Sequence, residues 1–392
     1  MFNLFNTIQI KIISSFLAII SLFSFNKFPI VENTNPRNQD QTTEINQQIK
    51  EPEKITIEET KKTEQKTTEI KPIPLPENKK LVNTTSTEQK TISSTTIQTI
   101  QQPVKINIPD NSKPWTQINT ETRPAIVNIF CISEGSSLSV AAGSGIIIDK
   151  RGVILTNSHV SQYFLLQNIP ELQKISCYIR DGDPAKMLYK AKLLYLPKDW
   201  IEDNYKKLKL QNPLGTGEFD FSLLLITQTI DPQTPFPTEF PFLPIDFSEI
   251  TEKQDVLIAG YPAGFLGNLE ILYNLYKASA VTKINDVLTF SKNNIDLISV
   301  GGTVISQKGS SGGAVVNNKG DLIGLVVTTT DATTTSSRDL RAITTAYINR
   351  AFENQKGLNI KDFLSRNLNV EANRFETEDA PNLTKKLLDG IK

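Results

Sequence analysis

The sequence predicts an all-β domain, a barrel or a sandwich, and two observations carry that expectation. From Trp115 to Gly357 the 392-residue chain breaks into short apolar or alternating runs punctuated by Gly, Pro and Asp, with no helices between them. The runs fall into two sets of about six, which suggests two barrels in tandem. The first set is Ala125–Ile132, Gly145–Ile148, Val153–Asn157, Ile175–Ile179, Leu188–Leu196 and Phe221–Ile226. The second is Val256–Gly260, Ala278–Ile284, Leu297–Val304, Gly313–Asn317 and Leu322–Thr328. After Thr344 the period changes: Ile348, Ala351 and Phe352 stand at helical spacing and Gly357 supplies a C-cap, so a helix closes the domain.

The ends of the chain read differently. The first Gly is Gly135, and no aromatic residue lies between Phe28 and Trp115. Residues 31–112 are mostly Thr, Glu, Gln, Lys, Asn and Pro, a composition that buries too little apolar area to offset chain entropy and predicts a disordered tether. Within residues 1–30 an uncharged apolar run from Ile12 to Phe25 sits between Lys11 and Lys27. At ~1.5 Å per residue it reaches ~21 Å, short of a ~30 Å hydrocarbon core unless the lysines snorkel. It reads as a signal-peptide core or a short anchor, and the lack of a small-residue cleavage pair after it favours the anchor. The expectation is a membrane-held protein whose domain lies outside the cytoplasm, with secretion after signal cleavage as the alternative. Residues 357–392 form a tail with short amphipathic helices.

Composition excludes other classes. The 42 Lys+Arg balance 42 Asp+Glu with no basic run, which argues against a nucleic-acid partner. One His and two Cys cannot supply the ligands of a structural zinc site, so neither a metal nor another cofactor is expected.

Three segments carry chemistry. The only histidine, His159, follows a strand-like run ending at Leu155. Asp220 stands at the mouth of the apolar run Phe221–Ile226, where a partly buried carboxylate seeks a donor. Gly309-Ser310-Ser311-Gly312-Gly313 places a serine among glycines, whose freedom lets successive N–H groups converge on one point.

In the order His, Asp, Ser these segments resemble the trypsin/chymotrypsin-like serine proteases, most closely the HtrA-like branch of bacterial envelope proteases. The matching pieces are Pro124–Ile129, Gly143-Ser144-Gly145 through Asp149, Thr156-Asn157-Ser158-His159-Val160, Asp220–Leu224, Gly260-Tyr261-Pro262-Ala263-Gly264, Gly309–Gly313, Gly320–Gly324 and Leu340–Ile343. The resemblance implies two tandem six-stranded antiparallel β-barrels with a C-terminal helix over residues 113–356, acting on proteins or peptides. It implies Ser311 as nucleophile, His159 as general base, Asp220 as its orienting acid, and the N–H groups of Gly309 and Ser311 as the oxyanion hole. Ile305 would form the base of the pocket for the residue before the scissile bond, with Thr328 and Thr329 at its rim. An apolar base favours small or medium apolar residues there.

Two departures matter. Ser310 stands where zymogen-type members carry an Asp that pairs with a new N-terminus, so activity without activating cleavage is expected. Only about 40 residues follow Phe352, too few for the PDZ domain that relatives append. Cys131 and Cys177 fall on strands that neighbour one another in the first barrel of this fold, which suggests a disulfide, with two buried thiols as the alternative. Asp181-Gly182-Asp183-Pro184 reads as a turn, and Lys206, Lys207 and Lys209 as a solvated face. A catalytically silent binding or scaffold module of the same fold is the competing function. The oligomeric state is not legible.

Overall fold

A computed structural model describes residues 112–391, apart from 134–140, 168, 170–171, 173–174, 211–214, 291–293 and 330–337. The expected anchor and tether lie outside the described residues. Among the described residues no helix is long and apolar enough to cross a membrane.

After a short helix α1 (Trp115–Thr122), six strands form the first barrel: β1 (Ile126–Ser133), β2 (Ala141–Asp149), β3 (Val153–Thr156), β4 (Ile175–Asp181), β5 (Lys186–Tyr195) and β6 (Ser222–Thr229). They close in the order β1-β2-β3-β6-β5-β4, every pair antiparallel, because β1 bonds both β2 and β4. The inward-facing Ile, Leu and Val side chains of these runs are buried in one core with Phe221 and Tyr195. The β1–β4 register sets Cys131 opposite Cys177, and the two form a disulfide.

The second set differs from the expected closed six-stranded barrel. It is a seven-stranded sheet in the order β8-β7-β11-β12-β13-β10-β9, from β7 (Asp255–Gly260), β8 (Ala278–Lys283), β9 (Asp286–Leu288), β10 (Leu297–Ser299), β11 (Ala314–Val316), β12 (Leu322–Thr329) and β13 (Leu340–Thr344). Its edge strands β8 and β9 are joined by only Ile284 and Asn285, and two residues cannot span an open sheet. The sheet therefore curls until its edges nearly meet, and the Thr282 hydroxyl reaches across to the Val300 carbonyl at 3.0 Å. The run predicted to extend to Val304 stops at Ser299 because the chain turns at Gly301, which adopts φ 69°.

Short helices α2 (Ser158–Ser161), α3 (Lys198–Asn204) and α4 (Asn268–Tyr273) interrupt the strands. The predicted closing helix is α5 (Thr345–Lys356), N-capped by the Thr344 hydroxyl and ended by Gly357 at φ 73°. The tail adds α6 (Ile360–Leu364), α7 (Leu368–Arg374) and α8 (Ala380–Ile391). Its Ile360, Phe363, Leu368, Phe375, Leu383 and Leu387 are buried in the same core as the first barrel.

The disulfide closes a sequence separation of 46 residues. Replacing both cysteines by Ala should lower unfolding free energy by about 2–5 kcal/mol, read by chemical denaturation under non-reducing conditions. An unchanged midpoint would show that the cross-link contributes nothing.

Candidate active site

The pairing of β3 with β6 assembles the first half of the site. Thr156 sits opposite Ser222, so the residues just past one strand must meet those just before the other. The meeting is densely bonded: Asn157 Nδ2 donates to the Asp220 carbonyl at 2.8 Å, and Ser158 Oγ to the Phe221 carbonyl at 2.7 Å. Phe219, at φ 55°, turns the chain into Asp220, and its N–H donates to the Tyr347 hydroxyl on α5 at 3.0 Å.

In this frame the Asp220 carboxylate accepts twice from His159, from the backbone N–H through Oδ1 at 3.0 Å and at Nδ1 through Oδ2 at 2.7 Å. The imidazole is 34 % exposed and the carboxylate 9 %. Burial pulls the imidazole pKa down, but the charge and hydrogen bond of Asp220 outweigh it and leave it above the ordinary histidine value. With Nδ1 engaged, Nε2 is the nitrogen left for a substrate or nucleophile.

The second half is the turn Gly309–Gly313 before β11. Two peptide planes there are pinned by their carbonyls: Lys308 O accepts from Ala263 N–H at 2.7 Å, and Ser310 O from Gly313 N–H at 2.8 Å. A trans peptide sets N–H opposite C=O, so the N–H groups of Gly309 and Ser311 are turned away from those anchors. Neither N–H has a protein acceptor among the described residues. At two of these positions the backbone conformation itself calls for glycine. Gly309 has φ 91° and a Cβ there would lie 2.6 Å from Tyr261 O; Gly312 has φ 85° and a Cβ would lie 1.9 Å from Ser144 O.

Ser144 joins the two halves, and nothing in the residue pattern assigned it a role. It is fully buried in β2, its N–H donates to Ser311 O at 2.7 Å, and its hydroxyl donates to Gly309 O and accepts from Tyr261 N–H, both at 2.8 Å. Its own carbonyl accepts from Thr156 Oγ1 at 2.8 Å. The Gly-Ser-Gly triplet at 143–145 was the available signal, but the partners lie 117 and 165 residues away. Gly143 is equally tight, since a Cβ there would lie 2.6 Å from the Val160 side chain and 3.3 Å from Ser311 O. The segment carrying His159 and the segment carrying Ser311 therefore meet over this glycine. No hydrogen bond links Ser311 Oγ to His159 among the described residues.

The remaining expected residues lie as follows. The Ser310 hydroxyl is buried with no partner among the described residues. Ile305 is fully buried in a second core beneath the curled sheet, with Ile298 and Val300. Thr328 and Thr329 end β12, paired with Arg341 and Leu340. A cleft of about 350 Å³ opens at His159 and Gly309, walled by Ala142, Tyr163, Leu266 and Ile271. Among the described residues no group of three or more His, Cys, Asp or Glu side chains could hold a metal ion.

Residues 143–325 match the family model described as the trypsin-like peptidase domain. Among solved structures, the Rv3671c protease of M. tuberculosis in its active form is similar at 16 % identity and TM-score 0.39, over 62 % of this chain and 86 % of that one. A serine endoprotease from Yersinia pestis is similar at 22 % identity and TM-score 0.38, over 63 % and 68 %. Deg5 is similar at 19 % identity and TM-score 0.39, over 60 % and 90 %. No curated protein matches the sequence.

With one histidine in the chain, isotope-labelled imidazole gives a single NMR titration. Its midpoint should lie above the ~6.5 of an unperturbed histidine and fall in Asp220→Asn, which removes the charge that favours imidazolium. An unmoved midpoint in that variant would break the assignment of the shift to Asp220.

Proposed function

We propose that the trypsin-like peptidase domain of residues 143–325 makes this chain a serine endopeptidase run by Ser311, His159 and Asp220. The observation that carries the reading is the pair of N–H groups, from Gly309 and Ser311, turned off their anchored carbonyls and without acceptors among the described residues. Two such donors at a serine, beside a carboxylate-bound imidazole, fit acyl transfer.

In this mechanism His159 Nε2 takes the Ser311 hydroxyl proton as Oγ attacks the scissile carbonyl carbon. The oxygen gains negative charge and is held by the two N–H groups, while Asp220 stabilises the imidazolium. His159 then gives the proton to the departing amine, the C–N bond breaks, and water repeats the sequence on the acyl-serine ester. Ser144, bonded to the Gly309 and Ser311 carbonyls, keeps the donor loop in shape, whereas the Ser310 hydroxyl has no partner among the described residues. Ile305 offers no counter-charge, which supports cleavage after small or medium apolar residues. The Cys131–Cys177 bond supports action outside the cytoplasm, where disulfides persist, and the apolar run Ile12–Phe25 supports membrane attachment there. The silent-module reading rests on the missing Ser311–His159 hydrogen bond. The open cleft at His159 and the N–H pair without acceptors among the described residues weigh against it.

A fluorophosphonate should label the full chain and not Ser311→Ala; a folded protein that resists labelling would overturn the peptidase reading. The acid limb of kcat/KM should coincide with the raised His159 titration, activity falling as pH drops through it, because only the neutral imidazole accepts the serine proton. Ser144→Ala should lower kcat by about 10- to 100-fold with little change in KM, less than the ~10²–10³ for loss of a direct oxyanion donor, and Ser144→Thr should recover part of it. A matched rise in KM would instead indicate a damaged cleft.

A further inference from the structure

The geometry points to an apolar subsite for the leaving half of the substrate, built by the loop Tyr261–Tyr276, that selects a bulky apolar residue immediately after the scissile bond. This rests on the peptidase reading of the same site.

The chemistry fixes which side of the scissile bond the cleft serves. His159 must hand its proton to the departing amine, so the residue that carries that amine lies beside the imidazole. The cleft begins at His159 and Gly309 and is walled by Tyr163, Leu266 and Ile271. Ile305, the expected floor on the acyl side, is not among its walls and is buried in the second core. A volume of about 350 Å³ lies within the ~300–1,000 Å³ range of ligand pockets; Val160, Tyr163, Ala263, Leu266 and Ile271 make most of the lining apolar, and Lys308 also lines it.

The same loop exposes large apolar side chains that do not line the cleft. Phe265 is 69 % exposed, Leu269 74 %, Tyr273 65 % and Tyr276 50 %. Apolar surface gathered on one element marks an interaction site. Phe265 adjoins Leu266 and Leu269 stands two residues before Ile271 along the loop, so the occupant assigned to them is the next stretch of the same extended substrate.

The loop is also held firmly enough to select. The buried guanidinium of Arg180, on β4, donates from Nη1 to the carbonyls of Ile271 at 2.9 Å and Leu272 at 3.2 Å, at the end of α4. It stacks on Phe130 at 4.1 Å and is oriented by Nε to Asn128 Oδ1 at 2.7 Å. At the two ends of the loop, Tyr261 OH donates to Gly182 O at 3.0 Å and the Leu275 carbonyl accepts from Ala185 N–H at 2.8 Å. Apolar side chains are thus presented to solvent from a backbone bonded to the first barrel.

The test is partition of the acyl-enzyme. Full-length protein is acylated with a peptide ester, and the Ser311 ester is shared between water and an added amino-acid amide. The α-amino nitrogen of the added amide forms the new peptide bond as the ester C–O bond breaks, and the proton it loses passes through His159 to Ser311 Oγ. Leucinamide and phenylalaninamide should capture the acyl group at least about tenfold better than glycinamide or aspartic diamide, the discrimination expected of an apolar pocket. Leu266→Ser with Ile271→Ser should reduce that preference to about twofold or less, and Leu269→Ser should weaken only acceptors extended by a second apolar residue. Equal capture of glycinamide and leucinamide by the wild type would overturn the subsite while leaving the peptidase reading intact. Absence of any acyl-enzyme would overturn both.

Discussion

The antiparallel pairing of β3 with β6 is the constraint on which the rest of the site depends. Register, not local sequence, decides that Asn157, Ser158 and His159 meet Asp220 and Phe221, because Leu155 faces Leu223 and Thr156 faces Ser222. A slip of one residue would turn every inward Leu and Ile of these strands outward, so burial of the barrel core holds the register and with it the His159–Asp220 contact. Core packing and site geometry are therefore not separable here. The hydrogen bonds at the strand ends refine a position already set by apolar side chains.

Ser144 extends that order to the second sheet. It lies between the two strand systems, on β2, and its polar atoms are divided among the Gly309 turn, the Tyr261 turn and Thr156 at the end of β3. A buried hydroxyl with donor and acceptor both satisfied is specific about distance and angle, and an apolar substitute would leave the Gly309 carbonyl and the Tyr261 N–H without a partner. Orientation of the Gly309 turn is thus set by a neutral hydrogen-bond network in a core. Ser310, at the neighbouring position, is uncharged and its hydroxyl has no partner among the described residues.

Much of this was legible in the sequence where a signal is local. Strand positions followed from apolar runs, the Gly357 stop of α5 from its residue type, and His159 from being the only imidazole. The cysteine pairing was legible only through the implied fold. Less legible were features set by distant partners. The three-residue β9 is too short for any period to show, and Leu297–Val304 looked like one strand because its apolar text runs on past the turn at Gly301. The Tyr261–Tyr276 loop gave only its Gly-Tyr-Pro turn, since residue type alone does not tell an exposed Phe or Leu from a buried one. The role of Ser144 needed three dimensions altogether.

The tail has a consequence for how the molecule is made. The strands of the first barrel are complete at Thr229, yet part of its outer surface is covered by residues synthesised more than a hundred positions later. The Thr384 hydroxyl bonds the Leu165 carbonyl just past α2, and a Cβ at Gly390 would strike Tyr205 O at 2.2 Å. During elongation the early barrel lacks α8, which packs against α3 and the turn Gln162–Leu166. The core shared by the first barrel and the tail is therefore completed by residues far downstream of the barrel's strands, so the order in which the strands are made is not the order in which their packing is finished.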